Sequence, residues 1–522
     1  MYLDISLKKI LLLCALGVIL YAAVNATFFL KDARYGSTPP FASAALAVEE
    51  ISLRSLYGFL GVVWDIERRV QSVFGPGTGE VERTARAVPV LTYHRIVNSK
   101  NDLNNVTANN FHDQMLTLKE AGWQTITLAE YRAYMRGDIT LPEKSFLITF
   151  DDGAKESFYP VDPILSALGY SAVMYVIAHA AEIPESTYYL SSTEIRRMLE
   201  TGRWEIGSHS YDGHRPYSTD SAEGEGLFFA DKLWRAEDGR LETVEEFRAR
   251  VHEDLVHARS DLESTYGGVI ETFAFPLGNE TGIAGSSNFP EGASITEHEA
   301  GEIYALGFLQ TSNNVFSFNY PSHRAFIAYR IHVDYDWSGA RLLRQLEVGL
   351  PKDVPYQDSF AENRGWIAAW GMLDVGTHNL ALHSDSDASS ASIFLDGTYL
   401  WDSYTFDASA HWQSGSISLL VDLIDAKTYD TCAFSPGSVR IQHTESGTTT
   451  VAAEKRNALI TFGPDVHIGA RVHGDVIECT WNYTSVIEVY DRSHGGGVGV
   501  QVWNPMLGSA SAQLSEVLVR PF

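Results

Sequence analysis

The alternation of apolar runs with amphipathic stretches, which begins at residue 88, constrains the fold of this chain more than any other feature. The apolar runs have the length and composition of buried strands, and segments with helical spacing separate them; they cover residues 88–93, 145–150, 171–177 and 204–206. Repeated strand-helix units favour parallel strands with crossover helices, in an α/β sheet or barrel. Ligand sites in such folds lie beyond the carboxyl ends of the strands, so polar residues at those positions are the first candidates for function.

The length and charge of the chain narrow the classes of protein it can belong to. Its 522 residues exceed what one hydrophobic core usually holds, and a hydrophobic fraction of 45% supplies material for several folded domains. The formal net charge is −27. A surface of that sign repels the phosphate backbone, so we expect no nucleic-acid partner.

The N-terminus has the features of a segment that enters a membrane. Lys8 and Lys9 precede an apolar run over residues 10–30, which is long enough to cross a bilayer as a helix. Residues 1–32 are therefore expected to be a transmembrane anchor or a signal peptide, since cleavage near Ala26 competes with anchoring. Residues 33–87 are expected to be a linker with a short amphipathic helix. Either fate of the leader places the rest of the chain outside the cytoplasmic membrane, anchored to the cell envelope or secreted.

Two clusters of polar residues directly follow predicted strands. Asp151 and Asp152 follow the second apolar run, and His209 and His214 follow the fourth. Adjacent carboxylates are unfavourable unless a cation or a proton separates their charges. Asp152, His209 and His214 would form a two-histidine, one-carboxylate metal site, with Asp151 free to act as a general base. Taken singly, the first cluster is also typical of a turn and the second of surface histidines, but their conjunction favours a metal site.

Four segments resemble the polysaccharide deacetylase family (NodB-homology, carbohydrate esterase family 4). In chain order they are VPVLTYHR at 88–95, TFDDG at 149–153, HSYDGH at 209–214 and FAFPLG at 273–278. The two histidines are five residues apart rather than the usual four, a variant that looks like the poly-N-acetylglucosamine deacetylases. The resemblance covers about residues 88–350 and implies a distorted (β/α) barrel of the deacetylase type for residues 88–354.

The resemblance also assigns roles to individual residues. Asp151 inherits the role of general base, and Asp152, His209 and His214 inherit the binding of one divalent metal ion. Zn²⁺ is preferred for this ligand set, with Co²⁺ and Ni²⁺ as alternatives. The residues expected to line the substrate groove are Tyr93, His94, Tyr211, Pro276 and Gly278. For Tyr93 and His94 the alternative is a packing role in the first strand, and for Tyr211 it is support of the two histidines.

This chain departs from the family pattern at two places. The third motif commonly carries an arginine two residues before its proline, where it orients the base, but this chain has Ala274 there. No clear Leu-x-His motif follows that would supply the general acid. His332 and His323 are candidates for that acid.

The function implied by the resemblance is metal-dependent, hydrolytic removal of N-acetyl groups from an extracellular polysaccharide, with an N-acetylglucosamine polymer favoured. The enzyme would be a hydrolase of a carbon-nitrogen amide bond. Its partners would be the acetylated polysaccharide and, through the N-terminal segment, the membrane. The alternatives are a catalytically weak or inactive protein that binds or assembles glycan, and an esterase acting on another acetylated glycan.

The C-terminal third has a different pattern. Short alternating runs at 393–395, 417–423, 459–462, 486–490 and 498–503 predict an all-β sandwich or jelly roll over residues 355–522, and this segment looks like a concanavalin-like module. Cys432 and Cys479 either form a disulfide or remain buried thiols. The aromatic side chains either stack on sugars, which would give this domain a glycan contact, or fill the core; they are Tyr399, Trp401, Trp412, Trp481 and Trp503.

Overall fold

The computed structural model describes residues 83–97, 105–183, 186–220, 224–277, 287–311, 316–321, 326–456, 459–490 and 495–522. These residues form two compact units. One unit contains the described residues before 312 together with Asn319–Leu343, and the other contains residues 316–318 together with Arg344–Phe522. The leader and most of the linker expected from the sequence lie outside the described residues.

The first unit is built on a closed barrel of seven parallel strands. The barrel strands follow the order β1-β14-β13-β12-β7-β6-β5, and β5 pairs with β1 to close the ring, while β4 pairs with β5 outside it. The strands are β1 (Val90–Tyr93), β4 (Gln124–Thr125), β5 (Ser145–Phe150), β6 (Ala172–Val176), β7 (Trp204–Ser208), β12 (Thr272–Ala274), β13 (Leu306–Thr311) and β14 (Ile327–His332). The expected (β/α) barrel is confirmed.

Helices connect the barrel strands, and short ribbons decorate the loops. The helices are α1 (Ala108–Glu120), α2 (Leu128–Met135), α3 (Asp162–Leu168), α4 (Ala178–Ala181), α5 (Ser192–Glu200), α6 (Val244–Tyr266), α7 (Gly292–Ile303) and α8 (Gly339–Gly349). The two-stranded ribbons pair β2 (Ile96–Val97) with β3 (Val106–Thr107), β8 (Pro216–Ser218) with β9 (Glu225–Leu227), and β10 (Trp234–Arg235) with β11 (Arg240–Leu241).

The starts of three helices follow directly from the sequence. Capping boxes, in which a Ser or Thr and a glutamate three residues later bond each other's backbone N–H, begin α2, α5 and α6. In α5 the glutamate is Glu194, which also accepts hydrogen bonds from the buried Lys155 and from Tyr159. This residue therefore links the helix start to the segment that follows the Asp-Asp pair.

Apolar side chains that project inward from alternate strand positions fill the barrel. Val90, Leu147, Val173, Phe308 and Ala328 belong to one buried cluster. Burial of such side chains stabilises the fold by about 1.5–3 kcal/mol each. Because the interior is packed rather than open, chemistry is confined to the ends of the barrel.

The second unit is a sandwich of two antiparallel sheets, as the sequence predicted. One sheet follows the order β17-β18-β29-β20-β25-β26-β27, with β15 also paired to β29, and the other follows β16-β19-β28-β21-β22-β23-β24. The strands are β15 (Tyr356–Asp358), β16 (Trp366–Trp370), β17 (Met372–Gly376), β18 (Asn379–His383), β19 (Ser390–Leu395), β20 (Tyr404–Trp412), β21 (Ser416–Asp425), β22 (Thr428–Ser435), β23 (Ser438–Glu445), β24 (Thr448–Arg456), β25 (Gly463–His473), β26 (Val476–Trp481), β27 (Thr484–Tyr490), β28 (Gly497–Trp503) and β29 (Ser511–Pro521).

The sandwich settles the state of its two cysteines and corrects one strand expected from the sequence. Cys432 on β22 and Cys479 on β26 form a disulfide with a Cα–Cα distance of 5.6 Å, so the bridge joins the two sheets. The expected strand at 459–462 is wrong, because the chain there is irregular and β25 begins only at Gly463. Ile460 is buried in that segment, but Leu459 is 93% exposed.

No helix within the described residues is both long and apolar enough to span a membrane. The apolar run at 10–30 lies outside them.

Candidate active site

The carboxyl ends of the barrel strands form a mouth at which the candidate residues meet. β1, β5, β7 and β14 end at Tyr93, Phe150, Ser208 and His332. Because parallel strands place their carboxyl ends at one edge, the residues just after them are brought together. The backbone N–H of Asp151 donates to the carbonyl of Tyr93, which ties two of these ends to each other.

Asp152, His209 and His214 converge at this mouth. Each offers one ligand atom, and the three atoms lie within 4.8 Å of one another. Oδ1 of Asp152 lies 3.2 Å from Nε2 of His214 and 3.5 Å from Nε2 of His209. A tetrahedron around a zinc ion has edges of about 3.4 Å, given ligand distances of 2.0–2.1 Å. The spacing of the donor atoms therefore fits a bound divalent ion.

The orientation of His209 also suits a metal ligand. Its Nδ1 donates a hydrogen bond to the carbonyl of Ala274 at 2.8 Å, which fixes the tautomer and leaves Nε2 with a free electron pair. The side chain is 2% exposed. Ala274 thus supplies the barrel mouth with a backbone oxygen, although its side chain cannot replace the arginine of the family pattern.

Asp152 has two properties of a residue held for a ligand. Its φ is 71°, in the left-handed region that a residue other than glycine adopts only at a free-energy penalty of about 1–3 kcal/mol. Its Oδ1 is buried and has no hydrogen-bond partner of suitable geometry among the described residues. Burial raises the pKa of Asp152, but the facing imidazoles lower it well below its usual range. For its part, the pKa of His214 is raised, because Asp152 outweighs the effect of burial.

Asp151, the residue before the ligand candidate Asp152, forms a buried ion pair with Arg330. Nη1 and Nη2 of Arg330 donate to Oδ1 and Oδ2 at 2.6 and 2.7 Å. Burial raises the pKa of Asp151. Arg330 and His209 lower it by more, so the pKa lies below its ordinary value. The carboxylate is therefore ionised and fixed in orientation, as a general base must be.

Arg330, on β14, is a candidate functional residue that the motif comparison did not find. It pairs with Asp151, so Ala274 does not leave this carboxylate without a cation. A signal was present in the sequence, because Arg330 and the predicted His332 are two residues apart and so project from the same face of one strand.

Two imidazoles, those of His332 and His94, lie near Asp151. Their ring centroids are 5.6 Å apart. Burial and the neighbouring His94 lower the pKa of His332 to about 4. Nδ1 of each ring is buried and lacks a hydrogen-bond partner within the described part of the chain. Each ring therefore has one nitrogen that the described part of the protein leaves unsatisfied. His323 lies outside the described residues.

Of the two roles open to Tyr93, the structure supports packing in the first strand rather than lining the groove, and Pro276 is not on an open surface either. Tyr93 is 1% exposed, donates its hydroxyl to Gln114 and packs between Phe111 and Phe150, so it belongs to the interface of β1 with α1. Pro276 is buried as well. Gly278 lies outside the described residues.

Tyr211 lies in the loop between the two histidines, as the sequence requires. Its ring stacks on His257 with centroids 3.7 Å apart, and its hydroxyl donates to Glu182. It is partly exposed and therefore available to a ligand.

A second aromatic feature, absent from the sequence prediction, is the pair Tyr188 and Tyr189. Tyr189 forms a β-bridge with Ala154, and the carbonyl of Tyr188 accepts from the N–H of Lys155, so both residues are fixed beside the segment that follows Asp152. Asp152 contributes to the raised pKa of each tyrosine after burial, which shows that they are close to it. Tyr188 is 37% exposed.

Comparison with known proteins agrees with this geometry. The sequence model of the polysaccharide deacetylase family matches residues 138–285. The poly-beta-1,6-N-acetyl-D-glucosamine N-deacetylase of Escherichia coli (strain K12) is 24% identical over 208 residues, which are 37% of this chain and 31% of that protein. The protein of that name from Staphylococcus aureus (strain MRSA252) is 25% identical over 207 residues, 36% of this chain and 63% of that protein. The chain therefore spans about a third of the length of the Escherichia coli protein and under two thirds of the length of the Staphylococcus aureus protein.

A solved structure of a de-N-acetylase from Aggregatibacter actinomycetemcomitans aligns with 49% of this chain and 98% of its own, at 19% identity and a TM-score of 0.42. The family match includes Asp151, Asp152, His209 and His214, the four residues that the barrel mouth brings together. Residues 138–285 are therefore similar to the polysaccharide deacetylase family in the part of the chain that supplies all four candidate residues.

Proposed function

We propose that this protein removes N-acetyl groups from an extracellular polysaccharide by metal-dependent hydrolysis, and that the polymer consists of N-acetylglucosamine. The observation that carries the proposal is the placement of the Asp151–Arg330 pair beside the cluster of Asp152, His209 and His214. The names of the relatives in Escherichia coli and Staphylococcus aureus support the choice of polymer.

Asp152, His209 and His214 would hold one divalent ion, Zn²⁺ by preference. Such an ion supplies Lewis-acid chemistry, which acidifies water and polarises a carbonyl. Asp151 would take the proton from the attacking water, since Arg330 keeps it ionised at neutral pH. Attack on the acetyl carbon breaks the C–N bond, and the products are acetate and a free amine.

The departing amine needs a proton, and His332 and His94 are the candidates to deliver it. His332 was expected from the sequence, but its lowered pKa keeps it uncharged at neutral pH. It would then donate only after taking up a proton during the reaction. His94 lies across from it at the end of β1 and is the second candidate. Alanine variants at the two positions separate these roles by their effect on kcat.

Aromatic side chains support a sugar substrate. Tyr188 lies close to Asp152, and Tyr211 belongs to the loop between the two histidines; both are partly accessible. A tyrosine ring offers an apolar face and a polar hydroxyl to a pyranose ring. In the sandwich, Trp401 and Trp412 are buried in the core, whereas Trp503 is 48% exposed. We propose that this domain contacts glycan, and Trp503 is the stacking residue to test.

The N-terminal apolar run supports a location outside the cytoplasmic membrane, anchored to the envelope or secreted. The Cys432–Cys479 disulfide is consistent with an oxidising compartment. We propose no nucleic-acid partner, because the chain carries a net charge of −27.

The proposal is tested by acetate release from N-acetylglucosamine oligomers. We expect activity that chelator abolishes and that Zn²⁺, Co²⁺ or Ni²⁺ restores. Asp151→Asn should remove it, while Asp138→Asn, at an exposed aspartate of the same unit, should leave it unchanged. A thermal-unfolding curve of each variant is required, since Asp151→Asn leaves the buried Arg330 without its anion.

Failure of the metal-loaded protein to release acetate from any N-acetylated or O-acetylated glycan would favour the alternative, a non-catalytic glycan-binding protein. Release from O-acetylated xylan but not from N-acetylglucosamine oligomers would make it an esterase of another glycan. The absence of the family's arginine at Ala274 no longer argues for an inactive protein, because Arg330 pairs with the base.

A further inference from the structure

The loop that joins the two candidate histidine ligands is held by a side chain from a distant helix. Asp254, on α6, accepts hydrogen bonds from the backbone N–H of Tyr211 at Oδ1 and of Asp212 at Oδ2, both at 3.0 Å. The two amides are consecutive and lie midway between His209 and His214. One carboxylate therefore fixes the centre of the connection between the ligands.

Asp254 occupies a position that would ordinarily be apolar. It lies three residues after Val251 and four before Ala258, on the buried face of α6, and is 8% exposed. Burial raises its pKa to about 6, although the two N–H groups act in the opposite direction. A carboxylate at such a position is unfavourable unless its oxygens are satisfied, and both of its oxygens bond the loop.

The rest of the loop leaves little room for another conformation. The carbonyls of Ser210 and Tyr211 accept from the backbone N–H of Ala178 and His179. Ser210 has a φ of 78°. At Gly213 a β-carbon would lie 2.5 Å from the ring of Phe229, so the chain passes against that ring with no space for a side chain. Asp254 is the charged side chain in this set of restraints.

We infer that Asp254 is a positioning residue for the metal site: it fixes the conformation of the loop between His209 and His214 so that both imidazoles direct Nε2 toward Oδ1 of Asp152. The inference rests on the proposed metal-binding function of these three residues. It predicts an effect on metal affinity beyond any effect on folding. Residues that orient ligands in this way typically change metal affinity 10–100-fold when they are replaced.

The test is the affinity of the full chain for Zn²⁺, measured by competition with a chromogenic chelator. Asp254→Asn keeps the shape but turns an N–H donor toward one loop amide. Asp231→Asn is the matched control, since Asp231 is 7% exposed and its two oxygens accept from the N–H groups of Leu227 and Asn288 at 2.7 and 2.8 Å. We expect Asp254→Asn to weaken Zn²⁺ binding at least ~10-fold, and Asp231→Asn to stay within about twofold of wild type.

Each outcome bears on a separate claim. Equal Zn²⁺ affinity in wild type and Asp254→Asn overturns the positioning role, and wild type that binds no Zn²⁺ overturns the proposed metal site instead. If Asp254→Asn does not fold, amide hydrogen exchange of the wild type decides: the amides of Tyr211 and Asp212 should be protected, and exchange at the rate of a free peptide refutes the inference.

Discussion

Breaking the ion pair of Asp151 and Arg330 should lower the free energy of unfolding strongly. Both side chains are almost fully buried, at 3% and 0% exposed, and two charge-assisted hydrogen bonds join them. Removing one partner of such a pair leaves an uncompensated buried charge, which lowers the free energy of unfolding by about 3–5 kcal/mol. For a unit of this size that corresponds to a loss of roughly 10 °C or more in Tm.

A double-mutant cycle isolates this effect. Arg330→Met and Asp151→Asn should each destabilise strongly, whereas the double variant, which buries no charge, should recover part of the loss. We expect a coupling free energy of about 2–3 kcal/mol, measured by chemical or thermal unfolding with circular dichroism. Arg136→Met is the control, because Arg136 pairs with Asp138 at the surface and such pairs contribute about 1 kcal/mol or less.

Additive effects in that cycle, with coupling below about 0.5 kcal/mol, would refute the argument that Arg330 holds the base. The same result would remove the reason for regarding Asp151 as ionised in the free protein.

Three further predictions concern other parts of the chain. Tyr188→Ala should raise KM for an N-acetylglucosamine oligomer about fivefold with kcat little changed, because it removes ~1 kcal/mol of contact between the ring and the sugar. Tyr188→Phe keeps the ring and should keep the KM of the wild type. An unchanged KM in the alanine variant contradicts the stacking role. Replacing Cys432 and Cys479 by serine opens a loop of 47 residues and should lower the free energy of unfolding by about 4 kcal/mol, so a loss under ~1 kcal/mol by denaturant titration would contradict the cross-link. Burial lowers the pKa of Lys352 to about 8, so between about pH 8 and the ordinary value of 10.5 only the unfolded chain binds a proton at this amine. In that window the free energy of unfolding should rise with pH, by at most ~1.4 kcal/mol per pH unit more than in Lys352→Met. Curves of stability against pH that run parallel in the two proteins would contradict this.

The barrel was predictable from sequence because its strands are buried on both faces. Such strands appear as continuous apolar runs between amphipathic helices, and the alternation at 88–206 has that form. The same property made the direction of single side chains unpredictable. In a strand with two apolar faces the sequence does not show which residues point inward, and Tyr93 proved to pack against α1 instead of lining the mouth.

Residues close in the chain to a strand end were predictable as site candidates, and those that arrive from elsewhere were not. Asp151 and His209 follow their strands directly. Arg330 reaches Asp151 from a strand about 180 positions later in the chain. The one sequence signal for its orientation was its position two residues before His332, which places both side chains on the same face of the strand. The contribution of Ala274 is a carbonyl oxygen, which every residue type possesses, so no sequence signal marks it.

Metal analysis of the purified protein decides whether Asp152, His209 and His214 form one metal site. Wild type should retain one divalent ion per chain after dialysis, and His209→Ala and His214→Ala should each lose it. His252→Ala, at a half-exposed histidine of the same unit, should retain it. Wild type without metal, or stoichiometric metal in both ligand variants, would contradict the account.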